Sequence, residues 1–567
     1  MNARQHLEQL YADRLQWVET SRKNGFEEGI RDLLAEIYPD QAHFIYELLQ
    51  NAEDARATGV TFDLNRTRLE ITHDGHPFSP KDVESITSIG QSSKKDDVNQ
   101  IGKFGVGFKA VFGYTSMPQI QSGDYRFEIR DLVCPVRLGD GVPDDTTQFI
   151  FPFNHPEKDP EQAYSETAEG LKKLSDETLL FLNHIRAISW FVEEDATSGD
   201  IKRESATENR IRIVRNSTDR AAPEISEWLR FQTSIDETGR FDEQGKLKVA
   251  IAFRLGEREA AGSEGEPGAS TTQKKQIVEA DGKLFIFFPA EKETTKLRFH
   301  IHGPYASAVD RASIKSGRPE NQALLARTAD LVVAALPTIR DMGLLTADFL
   351  SVLPNPEDQL SPFYEPIRKQ IVATMRRDEL VPKHGGGHAP AIWLLRGPRR
   401  IREVIDAERI GFFAAEPGES TNRIRGWAAG VMQHQREDRF LQSLGIAAWG
   451  WKELGSAIRG RFGADAHLGA QKSQAWLARQ DDVWMQELYA LLEEAPKEVL
   501  RMVKDAAVVR LESGTHVVGS TAYFPDGDHA HRVDGLVRVK TAILRGENAV
   551  RIERVRRFLA EVGVNGG

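Results

Sequence analysis

The chain has 567 residues, of which 40% are hydrophobic and 28% charged. That is too long for one ordinary core and too apolar for a disordered chain, so roughly three domains are expected. Lysine and arginine total 74 against 85 aspartate and glutamate, a net charge of −11, which argues against a long nucleic-acid groove and leaves room only for a local basic patch.

The N-terminal stretch MNARQHLEQLYADRLQW is charged and helical in pattern, without the apolar core of a leader. The segment DQAHFIYELLQNAEDARATG predicts a helix closed by Gly59. VTFDLNRTRLEITH predicts a hairpin turning at Asn65-Arg66. SPKDVESITSIG starts with Ser79 as N-cap and Pro80 at the first helical position. YRFEIRDL and TTQFIFPF predict strands. A second region opens with GLKKLSDETLLFLNHI, expected to be helical, and continues through five strand-like runs, AISWFVEE, RIRIVRN, KVAIAFRL, KLFIFFPA and LRFHIHGPY. The polar stretches EDATSGDIKRESATENR and GEREAAGSEGEPGASTTQKKQ are expected as surface loops, and NQALLARTADLVVAAL as a closing helix. The rest is helical in pattern, broken at HGGGHAP, with a small β element around AAVVRLESGTHVVGSTAYFP. No run of about 18 apolar residues occurs, so no membrane span is expected. The single cysteine, Cys134, excludes an internal disulfide framework and fits a cytoplasmic setting.

Three pieces of the first 165 residues carry candidate chemistry. Glu47, Asn51 and Asp54 are spaced i, i+4, i+7 and share a helix face; such a face can serve as an ordinary wet side or hold a base and a metal ligand at fixed distances. THDGHPFS ends a strand at an acidic residue and turns at Gly75, a common surface turn that also sets a carboxylate within reach of an exocyclic amine. In QIGKFGVGFKAVF, Gly102, Gly105 and Gly107 precede a helical pattern. Bare backbone N–H groups at a helix start suit a polyphosphate, and a tight bend between packed elements uses the same residues. Paired histidines at 300/302 and 384/388, and the arginines of LRGPRRIREVIDAERI, are read as structural or solvated groups ahead of metal or phosphate ligands.

Taken together and in this order, ELLQNAEDA, HDGHPF and IGKFGVGFKAVF resemble the N-box, the acid-glycine box and the glycine-rich lid hinge of the GHKL ATPase superfamily, which includes gyrase B, heat-shock-ninety chaperones, sensor histidine kinases and MutL. The DG-x-PF form, SIGQSSK, ETLLFLNHI and LRFHIHGPYASAVDRASI are most similar to the sacsin-type branch of heat-shock-ninety-like domains. The resemblance is strong over about 44–153 and weaker to about 355. It implies a Bergerat-type α/β two-layer sandwich over 1–165, an α+β middle domain over 166–355, and leaves 356–567 as a mainly helical region with a small β element: an α+β multidomain protein.

The resemblance also implies roles. Glu47 would polarise the attacking water and Asn51 would bind Mg²⁺; Asp54 would help order the adenine end or the helix. Gly102, Gly105, Val106, Gly107 and Phe108 would present backbone to the phosphates of ATP. Ser92 and Lys94 fall in the lid, Thr147 lies behind the adenine, and Arg311 would reach the site from the second region as a catalytic cation. One departure stands out. Alignment on Gly75 puts His73 in the adenine-contacting acid position, and Asp74 serves there only if the turn is shifted by one residue. Pro77 replaces the second glycine of the box. The expected function is a slow, Mg²⁺-dependent ATPase acting as a chaperone-like conformational switch on a protein client or effector, with homodimerisation left open and nucleic acid not favoured. The alternatives are a hydrolysis-deficient nucleotide-sensing scaffold and a DNA-transacting relative of MutL or gyrase.

Overall fold

The computed structural model describes residues 2–24, 44–88, 107–140, 144–193, 196–205, 207–235, 247–257, 275–307, 313–415, 423–464, 466, 469–525 and 535–566. They fall into two compact units, one of 1–335 with 352–370, the other of 336–351 with 371–567.

The first unit is mixed α+β, built on one large mixed sheet. Its first helix, α1 (Ala3–Lys23), is capped by Asn2, whose side chain takes the Gln5 amide. The next, α2 (Phe44–Asp54), ends five residues before the expected stop at Gly59. The amides of Arg56 and Ala57 return to the carbonyls of Glu53 and Ala52, with Arg56 in the left-handed region at φ 59°. This is a Schellman closure made by arginine where glycine is usual, and Gly59 instead starts the first strand.

The hairpin of β1 (Gly59–Asn65) and β2 (Arg68–His73) forms as its alternation requires. Asn65 Oδ1 accepts from the amides of Thr67 and Arg68, which locks the turn. Period-two alternation sends Val60, Phe62 and Leu64 inward from β1, and Leu69, Ile71 and His73 inward from β2. Helix α3 (Pro80–Ile86) begins with Ser79 as N-cap and Pro80 in its first turn, as the sequence predicts, and Asp82 completes a reciprocal cap with Ser79.

Residues Gly107–Gly113 wind as a 3-10 helix and not the expected α-helix. Its i, i+3 stacking lines Phe108 over Val111 and Lys109 over Phe112, all buried. Then come β3 (Gln119–Ser122), β4 (Tyr125–Arg130), β5 (Cys134–Arg137) and β6 (Thr147–Pro152), followed by α4 (Pro160–Lys172). GLKKLSDETLLFLNHI is helical only to Lys172, with a 3-10 turn at Asp176–Leu179.

The sheet then continues through β7 (Ala187–Val192), β8 (Thr197–Ser205), β9 (Arg210–Ser217), β10 (Glu224–Ile235), β11 (Leu247–Glu257), β12 (Lys275–Val278), β13 (Leu284–Ile286), β14 (Phe288–Pro289) and β15 (His300–His302). Its order is β14-β13-β15-β11-β10-β9-β8-β7-β1-β2-β6-β3-β4-β5, with β12 paired to β11. Strand β7 runs parallel to β1, Gly59 opposite Ala187, so pairing crosses residue 165 without a break. The expected loop EDATSGDIKRESATENR contains β8. That strand is mostly polar and hides from a hydrophobic count; it forms because β7 and β9 pair with both its edges, and because Gly199 leaves room for the Trp190 ring, which a Cβ would overlap. The other expected loop lies largely outside the described residues.

Helix α5 (Pro319–Asp341) is long and apolar enough, by length and composition, to cross a membrane. Its Leu325, Ala329 and Val332 are buried in the fold. The second unit is mainly helical, with a parallel three-stranded sheet and two short hairpins, one closing across HGGGHA.

Two outcomes follow for stability. Arg56→Gly removes the left-handed strain and is expected to stabilise the first unit by about 0.5–1 kcal/mol, read from the urea midpoint. His73 and His302 are buried neutral, burial pushing them down to about 4 and about 3. Below pH 6.5 the unfolded chain takes up protons that the folded one refuses. Their contribution is therefore complete above pH 6.5 and is lost as pH falls through about 4. A denaturation series from pH 7.5 to 4 is expected to show that decline, on the order of 2–3 kcal/mol per histidine.

Candidate nucleotide site

Helix α2 lies over the inward face of the β1–β2–β6–β3 sheet and is buried on nearly every side. Phe44, Leu48, Leu49 and Ala52 fill the core, and Glu47, Gln50 and Glu53 are buried with them. The face that a lone amphipathic helix would leave wet is covered. Glu47 is only 4% exposed, and the backbone of Gly107 closes on it so tightly that a Cβ at that position would overlap Glu47 Oε2. That contact accounts for one of the three glycines in the glycine-rich run: the carboxylate occupies the space a side chain would need. Asn51, one turn on, is half-buried, and its carboxamide makes no hydrogen bond among the described residues. Asp54 is half-buried at the end of the same face.

The floor comes from strand alternation. His73 and Thr147 face each other across β2 and β6, and Thr147 also pairs with Ser122 of β3. Thr147 is fully buried, with its Oγ1 2.6 Å from Ser122 Oγ; that Ser122 oxygen also accepts the Phe78 amide at 2.8 Å. Phe108 is buried with its ring 5.9 Å from Phe149 and 6.2 Å from Phe151. The HDGHPF turn is fastened to the end of α2: His76 donates its amide to the Ala55 carbonyl, and a Cβ on Gly75 would come within 2.8 Å of Ala55.

The turn is not shifted by a residue: His73, not Asp74, faces inward. Alternation puts Asp74 outside, and it clasps the start of β1, accepting from the amides of Thr58 at 2.7 Å and Gly59 at 2.9 Å and from the Thr58 hydroxyl. Partial burial opposes its ionisation, but these donors outweigh burial and hold its carboxyl below the usual range. The inward residue is His73, 3% exposed, whose Nδ1 accepts the Gly75 amide at 3.1 Å. Ser92, Lys94, Gly102, Gly105, Val106 and Arg311 lie outside the described residues.

Two buried charged groups, Glu53 and Lys109, complete the surroundings; they lie inside the motif stretches but at positions given no role there. The Glu53 carboxylate accepts the amides of Asn183 at 2.5 Å, His184 at 2.9 and 3.1 Å, and Ile185 at 2.9 Å. The carbonyls of the same loop are held by Arg203, which donates to Leu179 at 2.8 Å and to Leu182, and by Arg230, which donates to Leu180 at 2.8 Å. This is why LLFLNHI leaves the helical path: its polar backbone is taken by charged side chains from α2, β8 and β10. Lys109 is buried beside the glycine hinge and donates to the carbonyls of Ile86 at 2.7 Å and Leu132 at 2.6 Å; burial, with Arg14 nearby, pulls it down to about 7. Such groups are legible in sequence only as charged residues set among apolar ones.

The remaining candidates have structural partners. His300 Nε2 lies 3.1 Å from Glu177, and His302 Nδ1 accepts the Phe287 amide. His384 meets Arg402, and His388 meets the Leu345 carbonyl. No metal-holding cluster of histidine, cysteine and carboxylate occurs among the described residues. Arg396, Arg399, Arg400 and Arg409 pair with Asp438, Glu403, Glu494 and Asp406.

Residues 71–134, from the end of β2 through the hinge to β5, match the Sacsin domain family. The segment is sacsin-like. Human sacsin is 35% identical over 112 residues, 17% of this chain and 2% of sacsin. Protein NO VEIN of Arabidopsis thaliana is 22% identical over 395 residues, 63% of this chain and 14% of that protein. The chain thus spans a small part of either relative. The N-terminal domain of a DNA repair protein aligns with a TM-score of 0.30 at 9% identity, over 49% of this chain and 89% of that one, too slight a likeness to define the fold. The sacsin-like match begins after α2 and so takes in the His73 turn and Gly107 but not Glu47 or Asn51.

Glu53→Gln replaces one acceptor oxygen by a donor that faces backbone N–H groups. The expected cost is about 1–3 kcal/mol, measured as a lower denaturation midpoint, with Asn183→Ala, which keeps the amide, costing less.

Proposed function

We propose that the first unit binds a magnesium nucleoside triphosphate, ATP by the family resemblance, in a Bergerat-type site under α2 and hydrolyses it slowly. What carries the reading is the pairing on one helix face of a buried carboxylate, Glu47, and a carboxamide, Asn51, with the Gly107 backbone against the carboxylate. The sacsin-like match over the turn and hinge supports it.

The residues suit the magnesium group. Mg²⁺ keeps several waters and needs few protein ligands, so one amide without a protein partner, Asn51, is adequate. Bound there, the ion would screen the phosphates. Glu47, shielded from bulk water, would orient and polarise the attacking water. Gly107 and Phe108 would offer main chain to the phosphates, Gly75 would let the base approach, and Thr147 would back it. Because the hinge touches Glu47 and Glu53 grips the 183–185 loop, a shift of α2 would reach the middle sheet through the arginines of β8 and β10. That is the route by which closure would be passed to a protein client or effector, with turnover limited by closure more than by chemistry.

A hydrolysis-deficient nucleotide sensor is the second reading, favoured by the replacement of the base-contacting acid by His73. A DNA-transacting role gains nothing from the arginine-rich segment, where Arg396, Arg399, Arg400 and Arg409 are engaged by carboxylates and Arg402 by the Gly397 carbonyl and His384. Phosphate release is expected from the wild type with Mg²⁺ and ATP and to fall at least 100-fold in Glu47→Ala. Asn51→Ala is expected to weaken Mg²⁺-dependent binding in calorimetry. Equal release from wild type and Glu47→Ala would overturn the ATPase reading, and binding without turnover would select the sensor.

A further inference from the structure

His73 holds the one inward polar position on β2, and its hydrogen-bonding sense is set by the backbone. The Gly75 amide can only donate, so the Nδ1 atom 3.1 Å from it must present a lone pair. The ring is neutral, since burial drives it down to about 4. Its proton therefore sits on Nε2, and that N–H has no acceptor among the described residues although the side chain is 3% exposed. A base that brings an acceptor to this edge would complete that donor.

The carboxylate next to it in the chain, Asp74, is already engaged. Both Asp74 oxygens are taken up by Thr58 and Gly59. The Thr147 and Ser122 hydroxyls are bonded to each other, and Ser122 already receives the Phe78 amide. We propose that His73 is a specificity-determining residue that reads the base as a hydrogen-bond donor, so that the site takes a 6-oxopurine nucleotide in preference to a 6-aminopurine. The O6 oxygen of hypoxanthine or guanine accepts from Nε2–H. The amino group of adenine puts donor against donor, and adenine can bring its N1 lone pair to the ring only by leaving that amino group unmatched beside it. The inference rests on the nucleotide reading above and changes which base the site selects.

The test compares ITP, GTP and ATP, each with Mg²⁺, by calorimetry on the full chain. ITP and ATP are near-isosteric and differ at the edge in question. The wild type is expected to bind ITP and GTP at least about tenfold more tightly than ATP, the ratio that one mismatched hydrogen bond of about 1.4 kcal/mol produces. His73→Asp, which turns the donor into an acceptor, is expected to reverse the order, and its folding is checked by circular dichroism. The wild-type ratio alone decides the matter if that variant does not fold. ATP binding as tightly as ITP, or more tightly, would overturn the His73 inference and leave the nucleotide site standing. No binding of any of the three, or of inorganic tripolyphosphate with Mg²⁺, would overturn both.

Discussion

A buried carboxylate receiving backbone amides is the contact around which the first unit is organised. Glu53, at the end of the helix spanning 44–54, satisfies the amides of residues 183–185. Those residues lead directly into the strand that runs parallel to the first strand of the hairpin. Without that carboxylate the loop would carry orphan N–H groups inside the fold, and burial of unpaired backbone is among the costlier defects a protein can hold. The arginines at 203 and 230 complete the arrangement from the carbonyl side. One short connection is thus polarised at both ends by charged side chains, and this fixes where the helix sits over the sheet.

The candidate chemistry inherits its geometry from that placement. A helix pinned at its C-terminal end presents Glu47 to the backbone of Gly107, which approaches as it does because no side chain intervenes. The Schellman closure at Arg56 then returns the chain so that the turn at residues 74–76 lies against Ala55. The strand before that turn decides, by alternation alone, that His73 faces inward and Asp74 outward. Lys109 pins the hinge from the other side through the carbonyls at 86 and 132. The polar groups near the site therefore include three engaged by backbone, Glu53, Asp74 and Lys109, and two, Asn51 and the Nε2 side of His73, that make no side-chain hydrogen bond among the described residues.

The second unit follows different rules. Four arginines of its arginine-rich stretch, Arg396, Arg399, Arg400 and Arg409, form ion pairs with carboxylates of the same unit, while Arg402 meets His384, and His388 the Leu345 carbonyl. Charge clusters that suggest ligands in one dimension are here spent on contacts within helices and between elements. The similarity to sacsin lies in the first unit, over the turn and hinge.

Much of the local structure was legible in the chain. Ser79 with Pro80 marked a helix start, Asn65 a hairpin turn, and period-two alternation the strands from 60 to 73, because caps, turns and alternation depend on neighbours a few residues away. The shared face of Glu47 and Asn51 was legible for the same reason, since helical spacing is a local property. Local pattern did not reach the polar strand at 197–205, whose stability comes from the two strands that flank it. It did not reach the left-handed closure at Arg56 in place of Gly59, or the unwinding of the segment before Ile185, which Glu53 imposes from 130 residues away. Nor did it choose between His73 and Asp74, because that choice required knowing which side of the strand carries the helix. The sequence by itself determined the elements and the chemistry available to them; the tertiary structure decided which of those groups are spent on holding backbone and which remain to hold something else, because burial and pairing exist only once distant segments meet.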